Sequence, residues 1–153
     1  MTTDITAAQL LAKAADHMLK VGKGIGAFTA DPDKPTTSPV CVIGAIRIAG
    51  WLAGLRVDLD QEHEAQPKVV REAEDWAAER VNRVSGRLCT DKEGFVDPVE
   101  TVTGWNDELD CDLDSAVDLL REAAADAAAQ ELVDDISWLI AYAAERDTRR
   151  SAA

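Results

Sequence analysis

The sequence predicts an all-α fold, and three observations support this. Apolar residues recur at three- and four-residue spacing in several long segments, which is the period of an amphipathic helix. The segments between them are rich in proline, glycine and aspartate, which favour loops. With 153 residues, of which 46% are hydrophobic, the chain is long enough to bury one core. We therefore expect a single compact domain over 1–153, with four to five helices, long loops, one short extended segment and frayed ends at 1–5 and 147–153.

The first half of the chain contains two predicted helices. Thr6 can cap a helix over 6–20, and Gly22 favours its end. Residues 27–39 contain three prolines, so we expect a loop there. Residues 41–54 are apolar nearly all round, which predicts a helix buried at the centre of the domain.

The second half contains an amphipathic pattern over 67–84 and a longer helical pattern over 114–146. Between them, 85–104 carries glycines, a proline and several β-branched residues, which predicts a loop with a short extended piece. The apolar stripe of the last pattern shifts in phase near Gln130. This shift predicts a bend or two consecutive helices.

The negative charge of the chain is concentrated in one segment. The net charge is −13, and between Asn106 and Asp135 there are eleven acidic residues and a single basic one, Arg121. Such a field repels phosphate backbones, so direct nucleic-acid binding is not expected. It would suit a basic protein partner, or it could imitate the charge of DNA and inhibit a nucleic-acid-binding protein. A solvated acidic face that keeps a small protein soluble is the simpler alternative.

If this segment binds a protein, we expect its N-terminal part to supply the contacts. The predicted binding residues are Asp107, Glu108, Asp110, Asp112, Asp114, Asp118 and Glu122. The chain would then act as a small acidic accessory protein.

Cellular location is predicted from the start of the chain and from the cysteines. Thr2, Thr3 and Asp4 show neither the basic nor the apolar region of a signal peptide, and no apolar run is long enough for a membrane span. Three widely spaced cysteines predict free thiols rather than a disulfide framework. We therefore expect a cytoplasmic protein without membrane contact.

Cys41 is the sharpest candidate for chemistry. A thiol in the first turn of a helix meets unpaired N–H groups, which would lower its pKa and favour the thiolate. A nucleophilic cysteine also needs a base, and the chain contains only His17 and His63. The first lies at the edge of an apolar stripe, and the second lies in an acidic linker where we expect it to be solvated. Cys41 is therefore a small buried residue that packs against a neighbouring helix, a catalytic or redox thiol, or a binding residue.

Trp105, Asn106 and Asp107 form the second distinctive segment. We expect the indole to pack in the core and the two polar residues to fix a turn before the last helices. In the enzyme alternative, Asn106 or Asp107 would orient a catalytic base near Cys41.

The sequence predicts no metal and no cofactor. Asp110, Asp112 and Asp114 alternate like the start of a calcium loop, but Ser115 and Arg121 stand where that loop requires glycine and glutamate. The cysteines and histidines do not fall at the paired spacing of a zinc site. Helix capping by Asp112 or Asp114 is the simpler interpretation.

Three short motifs carry a family resemblance: Cys41 with Gly44-Ala45, then Trp105-Asn106-Asp107, and Leu119-Leu120-Arg121. With them, the chain from about Ala12 to Ala125 resembles an uncharacterised family of small proteins found in actinobacteria and their phages. The resemblance implies a phage or accessory-gene setting, and hence a host cytoplasm, but no particular activity. We expect Gly44, Ala45 and Trp105 to be structural members of these motifs.

Overall fold

The computed structural model of the chain describes residues 4–152 and contains five α-helices, which confirms the predicted fold class. In chain order they are α1 (Ala7–Val21), α2 (Val42–Leu52), α3 (Lys68–Ser85), α4 (Pro98–Asn106) and α5 (Leu113–Ser151). A short 3-10 turn, His63–Ala65, precedes α3. Strand pairing in the described part of the chain is limited to isolated bridges, one of which, Thr90 to Val96, lies in the predicted extended piece.

The helix ends follow from local side-chain chemistry. Thr6 and Gln9 form a capping box at the start of α1, in which each side chain bonds the backbone N–H of the other residue. Gly22 ends α1 with a φ of 94°, a left-handed conformation that glycine adopts without strain. At the start of α5, the carboxylate of Asp112 accepts the N–H of Ser115 at 2.8 Å.

Helix α4 lies in a segment that the sequence predicts as mostly loop, so the prediction for 98–104 is wrong. Asp97 caps the helix and Pro98 occupies its first turn, which is a favourable start because proline needs no helical donor there. Thr101 and Val102 are fully buried against the other helices. Tertiary packing therefore overrides the extended preference of the β-branched residues.

Helix α5 is continuous, so it does not divide into two consecutive helices near Gln130. Six alanines within 123–129 favour an unbroken helix through this region. Fraying is predicted for 147–153, and α5 extends to Ser151, where Arg149 pairs with Glu145 one turn earlier and basic residues suit the helix end. The remaining predicted frayed positions 1–3 and 153 lie outside the described residues.

The core is built by α1 to α4 and the first part of α5. Helix α2 is buried along nearly its whole length, as its composition predicts, and α1 packs against both α2 and α5. The last buried residue of the chain is Ala127, near the middle of α5. Beyond it the helix leaves the core, and every residue from Leu132 to Ala152 is exposed. The phase shift near Gln130 therefore separates a packed half of α5 from a projecting half.

Candidate functional site

The two segments that the sequence singles out meet at one junction. Asn106, in the last turn of α4, is fully buried, and its Oδ1 accepts a hydrogen bond from the N–H of Val42 at 3.2 Å. Its Nδ2 donates to the carbonyl oxygen of Gly24 at 3.0 Å. This amide thus joins the end of α4, the start of α2 and the loop after α1. Residues 105–106 therefore belong to a helix end and not to the turn that the sequence predicts.

Cys41 caps α2 at the same junction. Its Sγ accepts a hydrogen bond from the N–H of Gly44 at 3.3 Å, and its own N–H donates to the carbonyl oxygen of Phe28 at 3.2 Å. Only 2% of the residue is exposed, and burial raises the pKa of the thiol to about 11. The prediction that the helix start lowers this pKa is therefore wrong, because desolvation outweighs the backbone N–H groups that favour the thiolate.

The geometry does not supply a base to Cys41. In the described structure neither His17 nor His63 hydrogen-bonds to the thiol, and Asn106 binds backbone groups instead of orienting an imidazole. What the residues of the junction do is hold three chain segments together. Cys41 is a packing and capping residue in this arrangement.

Close backbone approach explains the glycine of the first motif. A Cβ atom added to Gly44 would collide with the carbonyl group of Phe28, where the loop after α1 crosses α2. The neighbouring Ala45 is fully buried, and Trp105 is 9% exposed at the edge of the core. The motif residues therefore allow the loop, α2 and α4 to come together.

Asp107 follows α4 and completes the junction at the surface. Its Oδ1 accepts hydrogen bonds from the N–H of Gly26 at 3.1 Å and from Nδ2 of Asn106 at 3.0 Å. An open cleft of about 540 Å³ lies beside it, with Phe28 and Glu100 among the lining residues. Asp107 is one of the predicted binding residues, and in the structure its side chain hydrogen-bonds the loop that packs on α2.

Four of the predicted binding residues converge on a second groove, between the end of α3 and the start of α5. The groove has a volume of about 490 Å³, and Trp105 and Cys111 lie among its walls. Its carboxylates belong to Glu108, Asp110, Asp118 and Glu122. We call this the acidic groove.

The carboxylates of the acidic groove differ in their pairing. Glu108 lies 3.1 Å from Nη1 of Arg87, and Glu122 lies 2.9 Å from Nε of Arg80. Within residues 4–152, no ion pair involves Asp110 or Asp118. Half of the groove's charge is therefore partly neutralised, and the other half is free to attract a cation.

The two other predicted binding residues lie at the start of α5, outside this groove. Asp112 is the N-cap, and its hydrogen bonds with Ser115 lower the pKa of its carboxyl group. Asp114 follows in the exposed first turn, where negative charge suits the helix dipole. Both residues thus serve the helix start, as the capping interpretation predicts.

A buried ionic cluster around Arg47 of α2 is not anticipated by the sequence. Arg47 is 1% exposed, and its guanidinium group donates to both carboxylate oxygens of Glu74, at 3.0 and 3.3 Å. It also donates to the carbonyl oxygens of Leu59 and Gln61 and lies 4.7 Å from the ring centroid of Phe28. These contacts tie the linker before α3 to the centre of the domain. The nearly apolar pattern around Arg47 was the one signal that could have revealed a buried partner.

His63 is the third member of this cluster and is not the solvated residue that the sequence predicts. Its Nδ1 lies 3.4 Å from Glu74 and its Nε2 lies 3.3 Å from Asp75, and its side chain is 17% exposed. Hydrogen bonds with Asp75 and then Glu74 raise the pKa of the imidazole to about 9. With both nitrogens engaged and a proton retained at neutral pH, His63 is an ionic tether and not a general base.

Comparison with known sequences places the chain in a family. A sequence profile of a family of unknown function (DUF6197) matches residues 2–126. The chain belongs to this family. The predicted resemblance to an uncharacterised family is therefore confirmed. No curated protein and no solved structure matches the chain.

The DUF6197 match ends where the core ends. Its last residue, Asp126, precedes Ala127, the last buried residue of α5. The junction, the acidic groove and the ionic cluster all lie inside the matched region, whereas the projecting half of α5 lies outside it.

Two further features concern metal ions and membranes in this DUF6197 protein. Among residues 4–152, no three side chains of the metal-binding types approach closely enough to hold a metal ion together. Over the same residues, none of the helices combines the length and the apolar character that crossing a membrane requires.

Proposed function

We propose that this protein is a small acidic accessory protein that binds a basic protein segment in the acidic groove. The observation that carries the proposal is the convergence of four carboxylates over an apolar wall that contains Trp105. An arginine or lysine side chain carries both a cationic head and an apolar stem, and it can satisfy both parts of such a groove.

The distribution of free and paired charge supports this binding mode. Asp110 and Asp118 would contact the incoming cation, while Arg87 and Arg80 hold Glu108 and Glu122 in place at the margins. The surrounding negative field would steer a basic partner toward the groove and repel phosphate backbones. A protein partner therefore fits this surface better than a nucleic acid.

The setting that we propose is the cytoplasm of an actinobacterial host, with a phage or accessory gene as the source. It rests on the motif resemblance, and the three free cysteines suit a reducing compartment. The proposed binding mode does not depend on this setting.

Fluorescence anisotropy with a labelled arginine-rich peptide tests the proposal, with a peptide in which serine replaces each arginine as the negative control. The double variant D110K/D118K replaces the two free negative charges of the groove with positive ones and leaves the ion-paired residues unchanged. We expect it to weaken binding of the arginine-rich peptide about tenfold or more, which corresponds to about 1.4 kcal/mol.

The matched control is D16K/D33K, which changes the net charge by the same amount at exposed positions on α1 and in the loop after it. This variant should lose much less affinity. If both double variants weaken binding equally, net charge alone attracts the peptide and the groove assignment is wrong.

A further inference from the structure

The projecting half of α5 displays an apolar stripe that has no partner in the described structure. Leu132, Val133, Ile136, Leu139 and Ile140 are between 47% and 65% exposed. Their spacing of three, four and seven residues places them along one side of the helix, and Ala143 continues the same line. A stripe of this kind is the pattern of a helix that packs lengthwise against another helix.

The stripe does not face the domain to which the helix belongs. The buried residues of α5, from Ala116 to Ala127, mark the side of the helix that packs on the core. At 3.6 residues per turn, the stripe centred on Ile136 lies on about the opposite side. Within residues 4–152, the last hydrogen bond between α5 and another helix runs from the N–H of Ala8 to Glu131 at 3.4 Å. The helix therefore presents its apolar side outward, with room for a partner.

The total surface of the chain also exceeds that of a compact monomer. The accessible surface is 9305 Å² for a mass of 16.5 kDa. A compact monomer of this mass exposes about 7,600 Å², so the excess is about 1,700 Å². A stable interface of ordinary size buries about 800 Å² on each partner. The projecting helix thus offers enough surface for such an interface.

We infer that the stripe pairs with the same stripe of a second copy of this chain, with the two helices antiparallel. Charges along one flank select this orientation. Asp135 lies on that flank near the start of the stripe, and Arg146 lies on it near the end. An antiparallel pair places each acidic start beside the basic end of the other copy, whereas a parallel pair would place like charges together.

The antiparallel arrangement also matches the apolar residues to one another. When the pair is centred between Ile136 and Leu139, Ile136 of each copy faces Leu139 of the other copy. Leu132 then faces Ala143, and Val133 faces Ile140. The stripe is therefore covered along its whole length by its own residues.

Sedimentation velocity of the full chain tests the dimer. The wild type should sediment with twice the mass of 16.5 kDa. The variant I136K/L139K places two charges in the interface and should be monomeric, while S137K/A141K adds the same charges on other sides of the helix and should remain dimeric. Circular dichroism checks that each variant keeps its helix content. A monomeric wild type, or a dimer that survives I136K/L139K, would overturn the inference.

Disulfide trapping tests the orientation. In a C89S background, which leaves only the buried Cys41 and Cys111, chains with L132C and chains with A143C are oxidised separately and as a mixture. An antiparallel pair should give a covalent dimer only in the mixture, because each introduced cysteine lies near the other position in the second copy. Efficient dimers in the separate samples would show a parallel pair and contradict the proposed arrangement.

Discussion

Asn106 Oδ1 lies 3.2 Å from the backbone nitrogen of Val42 and accepts the hydrogen bond that this first residue of α2 cannot make within its own helix. Two residues further on, the N–H of Gly44 is bonded by the thiol of Cys41. Because this end of α2 is buried, water cannot reach these two N–H groups and accept their hydrogen bonds. The two distinctive motifs of the sequence therefore have one shared task, which is to cap a helix start inside the core.

Replacing Asn106 should destabilise the whole domain. N106A would leave the N–H of Val42 and the carbonyl of Gly24 buried without their partner. We expect the free energy of unfolding in urea to fall by about 2–4 kcal/mol. As a control, N82A removes only a 3.3 Å hydrogen bond from a partly buried side chain to Arg87 and should cost less than about 1 kcal/mol. Equal losses for the two variants would contradict the capping role.

Gly44 should tolerate no side chain. In G44A the added methyl group would collide with the Phe28 carbonyl and displace the loop that also bonds Cys41 and Asn106. We expect a loss of about 2–3 kcal/mol in the free energy of unfolding. G50A in the same helix meets only side-chain methyl groups and gains helix propensity, so it should stay within about 1 kcal/mol of the wild type. A stable G44A would mean that the loop does not cross α2 as closely as described.

Cys41 should resist alkylation in the folded protein. It is buried and its pKa is raised to about 11, whereas Cys89 is only partly buried. We expect iodoacetamide at neutral pH to label Cys89 first, and Cys41 only after unfolding in urea, as followed by peptide mapping. Labelling of native Cys41 ahead of Cys89 would restore the thiol-nucleophile alternative.

The fold class was predictable from the sequence because helical periodicity survives wherever a helix has one buried side. Helices α1 and α3 illustrate this, since their observed bounds differ from the predicted ones by about one residue. Helix α4 was missed because its residues prefer extended structure locally, and only packing against the core makes them helical. The division of α5 near Gln130 was predicted from a change of stripe, but the helix continues there, and the stripe changes where the helix leaves the core.

The sequence singled out the right residues at the junction but not their role. Cys41 and Asn106 are far apart in the chain. Their joint capping of α2 can be recognised only once the position of α4 against α2 is known. The pKa of Cys41 was predicted in the wrong direction because the helix dipole is a local feature, whereas burial depends on the whole fold. His63 was expected to be solvated for the same reason. Its two carboxylate partners, Glu74 and Asp75, lie on α3 and come close to it only in the folded chain.

The tether of His63 to α3 should make stability depend on pH. Its pKa is about 9 in the folded protein against an ordinary value of 6.5, so the folded state binds the proton more tightly. The stabilisation is complete below pH 6.5 and is lost as the pH rises toward 9. We expect the free energy of unfolding to fall by about 1–2 kcal/mol over this window, since Asp75 is exposed and screened by solvent. The H63Q variant should lack this part of the decline.

Comparison of H63Q with H17Q separates this effect from other titrations. Burial lowers the pKa of His17. The contribution of His17 to the free energy of unfolding is therefore present above its ordinary pKa and is lost only as the pH falls. H17Q should therefore change the acidic side of the stability profile and leave the alkaline decline intact. Cys41 and Cys111 also titrate at alkaline pH, but they are common to all three proteins and cancel in the differences. An H63Q profile parallel to that of the wild type between pH 6.5 and 9 would show that His63 gains no proton affinity on folding.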